Sequence, residues 1–304
     1  GVLSKVANVY KIKNLLELVL ENENERQSLV GKICVMEGVT EYFDDLMQMS
    51  SKELAKALIE GLPSRRDTLT AFLNEEYYAL FPLYNFYFTR DASVTIGNSA
   101  LVCRMANQVR MRESLIMEAI YKGSGVFDCG IINAHSYQPG NKDIYMEGGD
   151  ILIAREDILL IGNGVRTSTQ GIDMIVSSLC QNSPTGVRHV IVQQLPRSPE
   201  SFIHLDMVFT LLDRDKCMVF EPLILNDNQY RTVHITIDNG RVSNISTVAN
   251  IPTVLRRLGM DVEPVVCGGK DDSWVQEREQ WHSGANFFAF APGKVISYAR
   301  NTNT

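Results

Sequence analysis

The run Asp150-Ile151-Leu152-Ile153-Ala154, the charged trio Arg155-Glu156-Asp157 and the run Ile158-Leu159-Leu160-Ile161 decide the fold class. Two short apolar runs rich in branched side chains, split by three charged residues, predict a β-hairpin. Apolar residues at helical spacing follow between Ile172 and Leu179, so this hairpin leads into a helix. The same rhythm recurs downstream. His204 to Leu212 and Cys217 to Leu223 flank Asp213 to Lys216, and Thr232 to Ile237 and Val242 to Ile245 flank Asn239-Gly240. An Asn-Gly pair between apolar runs is the strongest short hairpin signal, because both residues accept positive φ. Helical patterns over Arg112 to Tyr121 and Thr253 to Leu258 separate the pairs. Hairpins alternating with helices make this a mixed α/β chain. The pattern alone does not say whether the units close into a ring.

Upstream of Phe81 the texture is helical. Ile12, Leu15, Leu16, Val19 and Leu20 fall on one helical face, ending at the charged run Glu21 to Arg26. Ser50 and Glu53 form a capping box ahead of Leu54, Ala57 and Leu58, and Gly61 with Pro63 ends that helix. A further helix is expected over Asp67 to Tyr78. None of this carries obvious chemistry, so residues 1–80 read as a helical part and 81–304 as the chemical part.

The 304 residues are 45% hydrophobic and 21% charged, ordinary for a globular protein with a large core. A net charge of −7 disfavours nucleic acid or an anionic membrane, which attract basic surfaces. Cys34, Cys103, Cys129, Cys180, Cys217 and Cys267 are scattered without a CxxC pair. That points to reduced thiols in a cytoplasmic protein rather than to disulfides or a zinc site. No apolar run approaches the roughly 18 to 20 residues that span a bilayer.

Several charged residues sit where a structural role is hard to supply. Asp91 closes Asn85-Phe86-Tyr87-Phe88-Thr89-Arg90-Asp91, an aromatic strand ending in a carboxylate, and reads equally well as a strand-end turn residue. Glu147 precedes Gly148-Gly149-Asp150, and paired glycines allow a close backbone approach to a ligand or simply a turn. His204 and Asp206 open the run His204-Leu205-Asp206-Met207-Val208-Phe209, where two-residue spacing in a strand would put both on one face. A histidine beside carboxylates suits acid–base work near neutral pH, and a hydrogen-bonded structural pair is the alternative. Arg166 precedes Thr167-Ser168-Thr169-Gln170, a Thr-x-x-Gln cap at a helix start, where a guanidinium and free N–H groups would hold a carboxylate. Arg110 could be a second such clamp or a solvated charge. Arginines for a carboxylate, and Asp91, Asp206 and Glu147 for a cation, describe a zwitterionic guanidino substrate. Chemistry at its carbon calls for a thiolate beside a histidine. No cysteine here has the glycine-rich polar setting expected of one; Cys267, before Gly268-Gly269, comes nearest and reads better as a buried strand-end thiol.

These residues resemble the arginine deiminases, a branch of the guanidino-group-modifying enzymes. The matching stretches are Asn85 to Asp91, Arg110-Met111-Arg112-Glu113, Glu147 to Asp150, Gly162 to Ser168, His204 to Asp206 and Gln276 to Trp281, with Pro292-Gly293 and Tyr298 to Thr304 behind them. The resemblance implies a five-bladed pseudo-symmetric α/β propeller of ββαβ units with a small helical subdomain. It also implies hydrolysis of free L-arginine to L-citrulline and ammonia without metal or cofactor. By position, Asp91 and Asp206 would bind the guanidinium, His204 would be the general acid/base and Glu147 its support. Arg110 and Arg166 would hold the substrate carboxylate, with Asn85 and Phe88 lining the pocket. Gln276 to Trp281 is taken as structural. Members of the family start upstream of Gly1 and continue past Thr304 into a unit carrying the nucleophilic cysteine. The expectation is therefore a chain truncated at both ends, inactive alone, with no nucleic-acid or membrane partner and homo-oligomerisation open. An agmatine deiminase or an amidinotransferase is the near alternative, and a non-catalytic arginine-binding fragment the distant one. Two carboxylate clamps argue against agmatine, which has no carboxylate.

Overall fold

Asn22 and Ser50 start the two longest N-terminal helices. The computed structural model describes residues 3–134, 143–181 and 186–304. Helices α1 (Ile12–Val19), α2 (Glu23–Glu37), α3 (Phe43–Gln48) and α4 (Ser51–Glu60) come first. The Asn22 side chain accepts from the Asn24 and Glu25 N–H groups, and Ser50 with Glu53 makes the expected capping box. Such caps satisfy donors that an α-helix leaves unpaired at its start. Leu16, Val19, Val30, Ile33, Leu46, Leu54 and Leu58 are buried in one apolar core that continues through the strands to Ile237. Strand β1 (Leu62–Pro63), helix α5 (Leu69–Leu73) and strand β2 (Tyr78–Leu80) follow, with β1 and β2 antiparallel. The helix expected over Asp67 to Tyr78 is thus shorter. The Asn74 side chain accepts from the Glu76 N–H at 3.0 Å, a local bond that competes with helix continuation.

Beyond Phe81 one hydrogen-bonding plan repeats. In the first unit, α6 (Thr89–Ala92) leads into β3 (Ser93–Ile96) and β4 (Ser99–Val102), an antiparallel pair. Helix α7 (Met111–Gly123) then crosses to β5 (Gly130–Asn133), parallel to β4. The second unit has β6 (Ile151–Arg155) antiparallel to β7 (Ile158–Asn163), then α8 (Thr169–Gln181) and β8 (His189–Gln194), parallel to β7. The third pairs β9 (Phe209–Leu211) with β10 (Lys216–Val219). After α9 (Glu221–Ile224) it inserts the hairpin β11 (Thr232–Asp238) and β12 (Arg241–Val248). It then resumes with α10 (Ile251–Arg257) and β13 (Glu263–Val266), parallel to β10. The inserted hairpin joins the sheet of the second unit through β8, giving the order β12-β11-β8-β7-β6. Helix α11 (Ser273–Trp281) and the hairpin β14 (Phe288–Ala291) and β15 (Lys294–Ile296) end the chain.

Ile158, Leu159, Leu160 and Ile161 are all buried. Burial on both faces explains why this strand reads as an unbroken apolar run rather than an alternating one. Asn239 and Gly240 have φ of 50° and 70°, the left-handed pair that the hairpin signal requires. The described residues form a mixed α/β fold in which these sheets are separate and open.

Candidate active site

Each repeated unit places its candidate residue at the entry to its first strand. Asp91 lies on α6 just before β3, Glu147 in the turn before β6, and His204 and Asp206 in the turn before β9. Arg110 and Arg166 take a second repeated position, just before α7 and α8. The plan of the fold therefore brings residues far apart in sequence to one place.

His204 is buried, and its Nε2 donates to Glu147 Oε2 at 3.0 Å while its Nδ1 stands 4.0 Å from Asp91 Oδ1. Glu147 is wholly buried. Its Oε1 accepts from the Ala106 N–H at 3.2 Å and faces Arg166 Nη1 at 3.4 Å. Burial alone would draw the His204 imidazolium down. The Glu147 bond and the charges of Asp150, Asp91 and Asp206 overcome it and raise the pKa to about 9. Burial works against Glu147 too, yet the bond to His204 and the charges of His204, Arg166 and Arg110 hold its carboxyl below the usual range. Asp206 is raised by burial, opposed by Arg90, whose Nε lies 3.8 Å from Oδ2.

Asp91, Glu147 and His204 bring potential metal-ligand atoms within 4.8 Å of one another. His204 keeps its proton near neutral pH, and the Arg110 guanidinium already bridges the two carboxylates. The set therefore favours a planar, donor-rich cation over a metal ion, which needs free lone pairs.

Arg110 departs from the expected substrate clamp. Its Nε and Nη2 donate to the two Glu113 oxygens at 3.0 and 2.8 Å. Its Nη1 meets Asp91 Oδ2 at 2.9 Å and Glu147 Oε2 at 3.5 Å, and Nη2 also reaches the Asn85 carbonyl at 3.4 Å. A guanidinium has five N–H donors, and here each has a protein acceptor. Arg166 differs: its side chain is 27% exposed and meets the cluster through Glu147 alone. Asn85 reaches the site by its carbonyl, while Phe88 is exposed beside the Tyr87 ring.

Two expected strands are turns. From Asn85 to Asp91 the backbone bonds back three residues, Phe88 N–H to Asn85 and Asp91 N–H to Phe88, and runs into α6. Phe86 packs into the core while the adjacent Tyr87 and Phe88 both stay exposed, which is not the alternation of a half-buried strand. His204 itself is extended, but Leu205 to Met207 form a 3₁₀ turn and β9 starts only at Phe209. The turn follows from Asp150 Oδ1 taking the Leu205 N–H, which a strand would have given to a neighbour. The helix cap is also one residue later than expected. Ser168 Oγ accepts from the Gly171 N–H, whereas Thr167 Oγ1 accepts from the Glu147 N–H and donates to Asp150.

Three residues were not singled out in sequence. Asp150 bridges Thr167 and Leu205, Glu113 holds Arg110, and Arg90 faces Asp206. An acid opening the apolar run Ile151 to Ala154 was the available signal for Asp150, and the i,i+3 spacing from Arg110 was the signal for Glu113. The glycines of this turn are spatially obligatory. A Cβ on Gly149 would lie 2.6 Å from His204 Nδ1, and one on Gly148 2.0 Å from the Arg90 carbonyl oxygen. Gly149→Ala is expected to displace the imidazole and, by weakening its bond to Glu147, lower the His204 pKa from about 9. An NMR titration of His204 on a variant with unchanged circular dichroism checks this.

The family described as Arginine deiminase matches residues 4–304. An arginine deiminase of Listeria monocytogenes serotype 4b (strain CLIP80459) is 31% identical over 307 residues, covering 96% of this chain and 73% of the relative. One from Borrelia duttonii is 30% identical over 295 residues, covering 95% and 68%. Among solved structures, the amidinotransferase SxtG from Microseira wollei overlaps 75% of this chain and 60% of its own at 16% identity and a TM-score of 0.46.

Proposed function

Because the chain belongs to the arginine deiminase family, we propose that this site hydrolyses free L-arginine to L-citrulline and ammonia. The observation that carries the proposal is the buried His204–Glu147–Asp91 cluster with Asp206 beside it and a half-free Arg166 at its edge.

Asp91 and Asp206 take the substrate guanidinium, whose planar donors match two carboxylates. Glu147 fixes the orientation of His204 and keeps it protonated. A thiolate attacks the guanidinium carbon, the C–N bond breaks, and His204 gives its proton to the leaving ammonia. His204 then takes a proton from water, which attacks the same carbon and releases citrulline and the thiolate. Burial raises four of the six cysteine thiols, those of Cys34, Cys103, Cys217 and Cys267, which does not suit the nucleophile's part. Cys103, the one whose thiol feels the charges of Glu147, Asp91 and Asp150, is driven well above the ordinary thiol range by burial and then by those carboxylates. Burial takes Cys217 to about 12 and Cys267 to about 11. These residues are therefore assigned binding and acid–base work, with the thiolate supplied by chain outside them. The chain spans 73% of the length of the first Listeria relative.

Arg166 is assigned the substrate carboxylate, with Asn85 and Phe88 near the entrance. Arg110 is assigned to the carboxylates, as a fixed cation between Asp91 and Glu147. For the fold, three hairpin–helix–strand units and the following β14–β15 hairpin support a five-bladed pseudo-symmetric propeller. Residues 1–80 would add its helical subdomain, in a cytoplasmic enzyme whose cysteines stay reduced.

Citrulline release from L-arginine by the full-length protein tests the activity, and its absence under conditions where the protein is folded would overturn it. Calorimetry on the 304 residues tests the binding half. Arg166→Ala is expected to weaken L-arginine by about 1.5 to 3 kcal/mol, the worth of a charged hydrogen-bond partner. Agmatine, which lacks the carboxylate, should be unaffected; equal losses for both ligands would remove Arg166 from the clamp.

A further inference from the structure

We infer that Asp150 is a positioning residue of this site, its two carboxylate oxygens fastening the segment that carries Arg166 to the segment that carries His204 and Asp206. The inference rests on the proposed arginine site for its functional meaning, and on geometry for its content.

Asp150 is fully buried at the start of β6. Its Oδ2 takes the Thr167 hydroxyl at 2.6 Å and its Oδ1 takes the Leu205 N–H at 2.9 Å. Thr167 follows Arg166, and Leu205 lies between His204 and Asp206. Thr167 Oγ1 also accepts from the Glu147 N–H at 3.2 Å, so one hydroxyl joins Glu147, Asp150 and the Arg166 loop. The directions of these bonds are fixed. An N–H can only donate, and a hydroxyl that accepts from Glu147 has one proton to give, so residue 150 must accept from both partners. A carboxylate does this. An amide offers one acceptor, and its NH₂ would face Thr167 and leave the hydroxyl proton without an acceptor. Space is equally restrictive, since a Cβ on Gly162 would lie 2.2 Å from Asp150 Oδ1, so the neighbouring strand has to present a glycine there.

The arrangement is costly to the fold, because burial pushes the Asp150 carboxyl up to about 7. The Asp150 charge is also among those that raise His204, together with Glu147, Asp91 and Asp206. An acid that only filled core space would have neither connection.

Asp150→Asn in the 304-residue chain tests this. By NMR the His204 titration should move down from about 9, because one facing charge is gone. L-arginine affinity should fall on the order of tenfold as Arg166 loses its anchor; in the companion variant Asp150→Ala, which removes both acceptors, the Leu205 amide should also lose protection from hydrogen exchange. Thr167→Val keeps the charge and removes one bond; it should lower arginine affinity to a similar extent while shifting His204 less. A folded Asp150→Asn chain with the wild-type His204 titration and arginine affinity, or a folded Asp150→Ala chain with wild-type Leu205 protection, overturns the inference. If Asp150→Asn does not fold, wild-type affinity in Thr167→Val overturns it instead. If the wild-type chain binds no arginine, the proposed function fails, and Leu205 exchange and the His204 titration still decide the positioning role.

Discussion

His204→Ala is expected to reduce citrulline formation by the full-length protein by about 10² to 10⁴-fold, the usual worth of a positioned acid–base group, with little change in the fold. The imidazole serves twice in the proposed reaction, and Asp150, the neighbouring carboxyl pushed up to about 7, has both oxygens committed to Thr167 and Leu205. Glu147 keeps Arg110, Arg166 and the Ala106 N–H after the ring is removed, so the cluster retains its cations. The pH dependence has a definite sign. The folded pKa of His204 lies at about 9, above its ordinary 6.5. The stability gained by the pair with Glu147 is therefore fully present below 6.5 and lost as pH rises through about 9. Ammonia departure needs the imidazolium, so the wild-type rate should decline over the same upper range. Activity near wild type in His204→Ala would remove this residue from the mechanism.

How much of this was legible in sequence depended on whether the signal was local. The Asn239-Gly240 turn, the Ser50–Glu53 box and the Ile158 to Ile161 strand depend on near neighbours, and all three appear as expected. The turn at His204 to Met207 was misread as a strand because a distant partner decides it, whereas the turn at Asn85 to Asp91 is closed by local backbone bonds that its aromatic texture does not signal. Asp150 takes the Leu205 N–H from 55 positions away, information no window around His204 contains. Arg110 shows the same limit. That it is a functional-looking arginine beside a helix start was visible, but that Asp91 and Glu147 would consume its donors depends on the meeting of two repeated units. The repeated plan itself was visible only as a rhythm, since its strands share hydrogen-bond geometry rather than residues.

Arg110→Met is the variant expected to affect stability most, losing about 3 to 5 kcal/mol at neutral pH, the cost of removing one partner from a buried ion pair. Arg110 is 6% exposed, and its guanidinium serves Glu113, Asp91 and Glu147 at once. Without it three carboxylates face one another in a site from which water is largely excluded. Burial already raises Glu113 above the ordinary range, and in the variant it would rise further. A carboxyl whose folded pKa is raised stabilises the protein below its unfolded pKa and loses that contribution as pH rises, so the deficit of Arg110→Met should widen toward neutral pH and narrow in acid. Urea unfolding at a series of pH values measures this. Arg110→Lys keeps one charge but not five directed donors, and should recover only part of the loss. The contrast with Arg166→Ala is decisive. A substrate clamp at position 110 would weaken arginine binding with little effect on urea stability, which is the outcome expected for Arg166. A structural cation at 110 gives a large, pH-dependent stability loss in the absence of any substrate, and a stability indistinguishable from wild type would return Arg110 to the substrate.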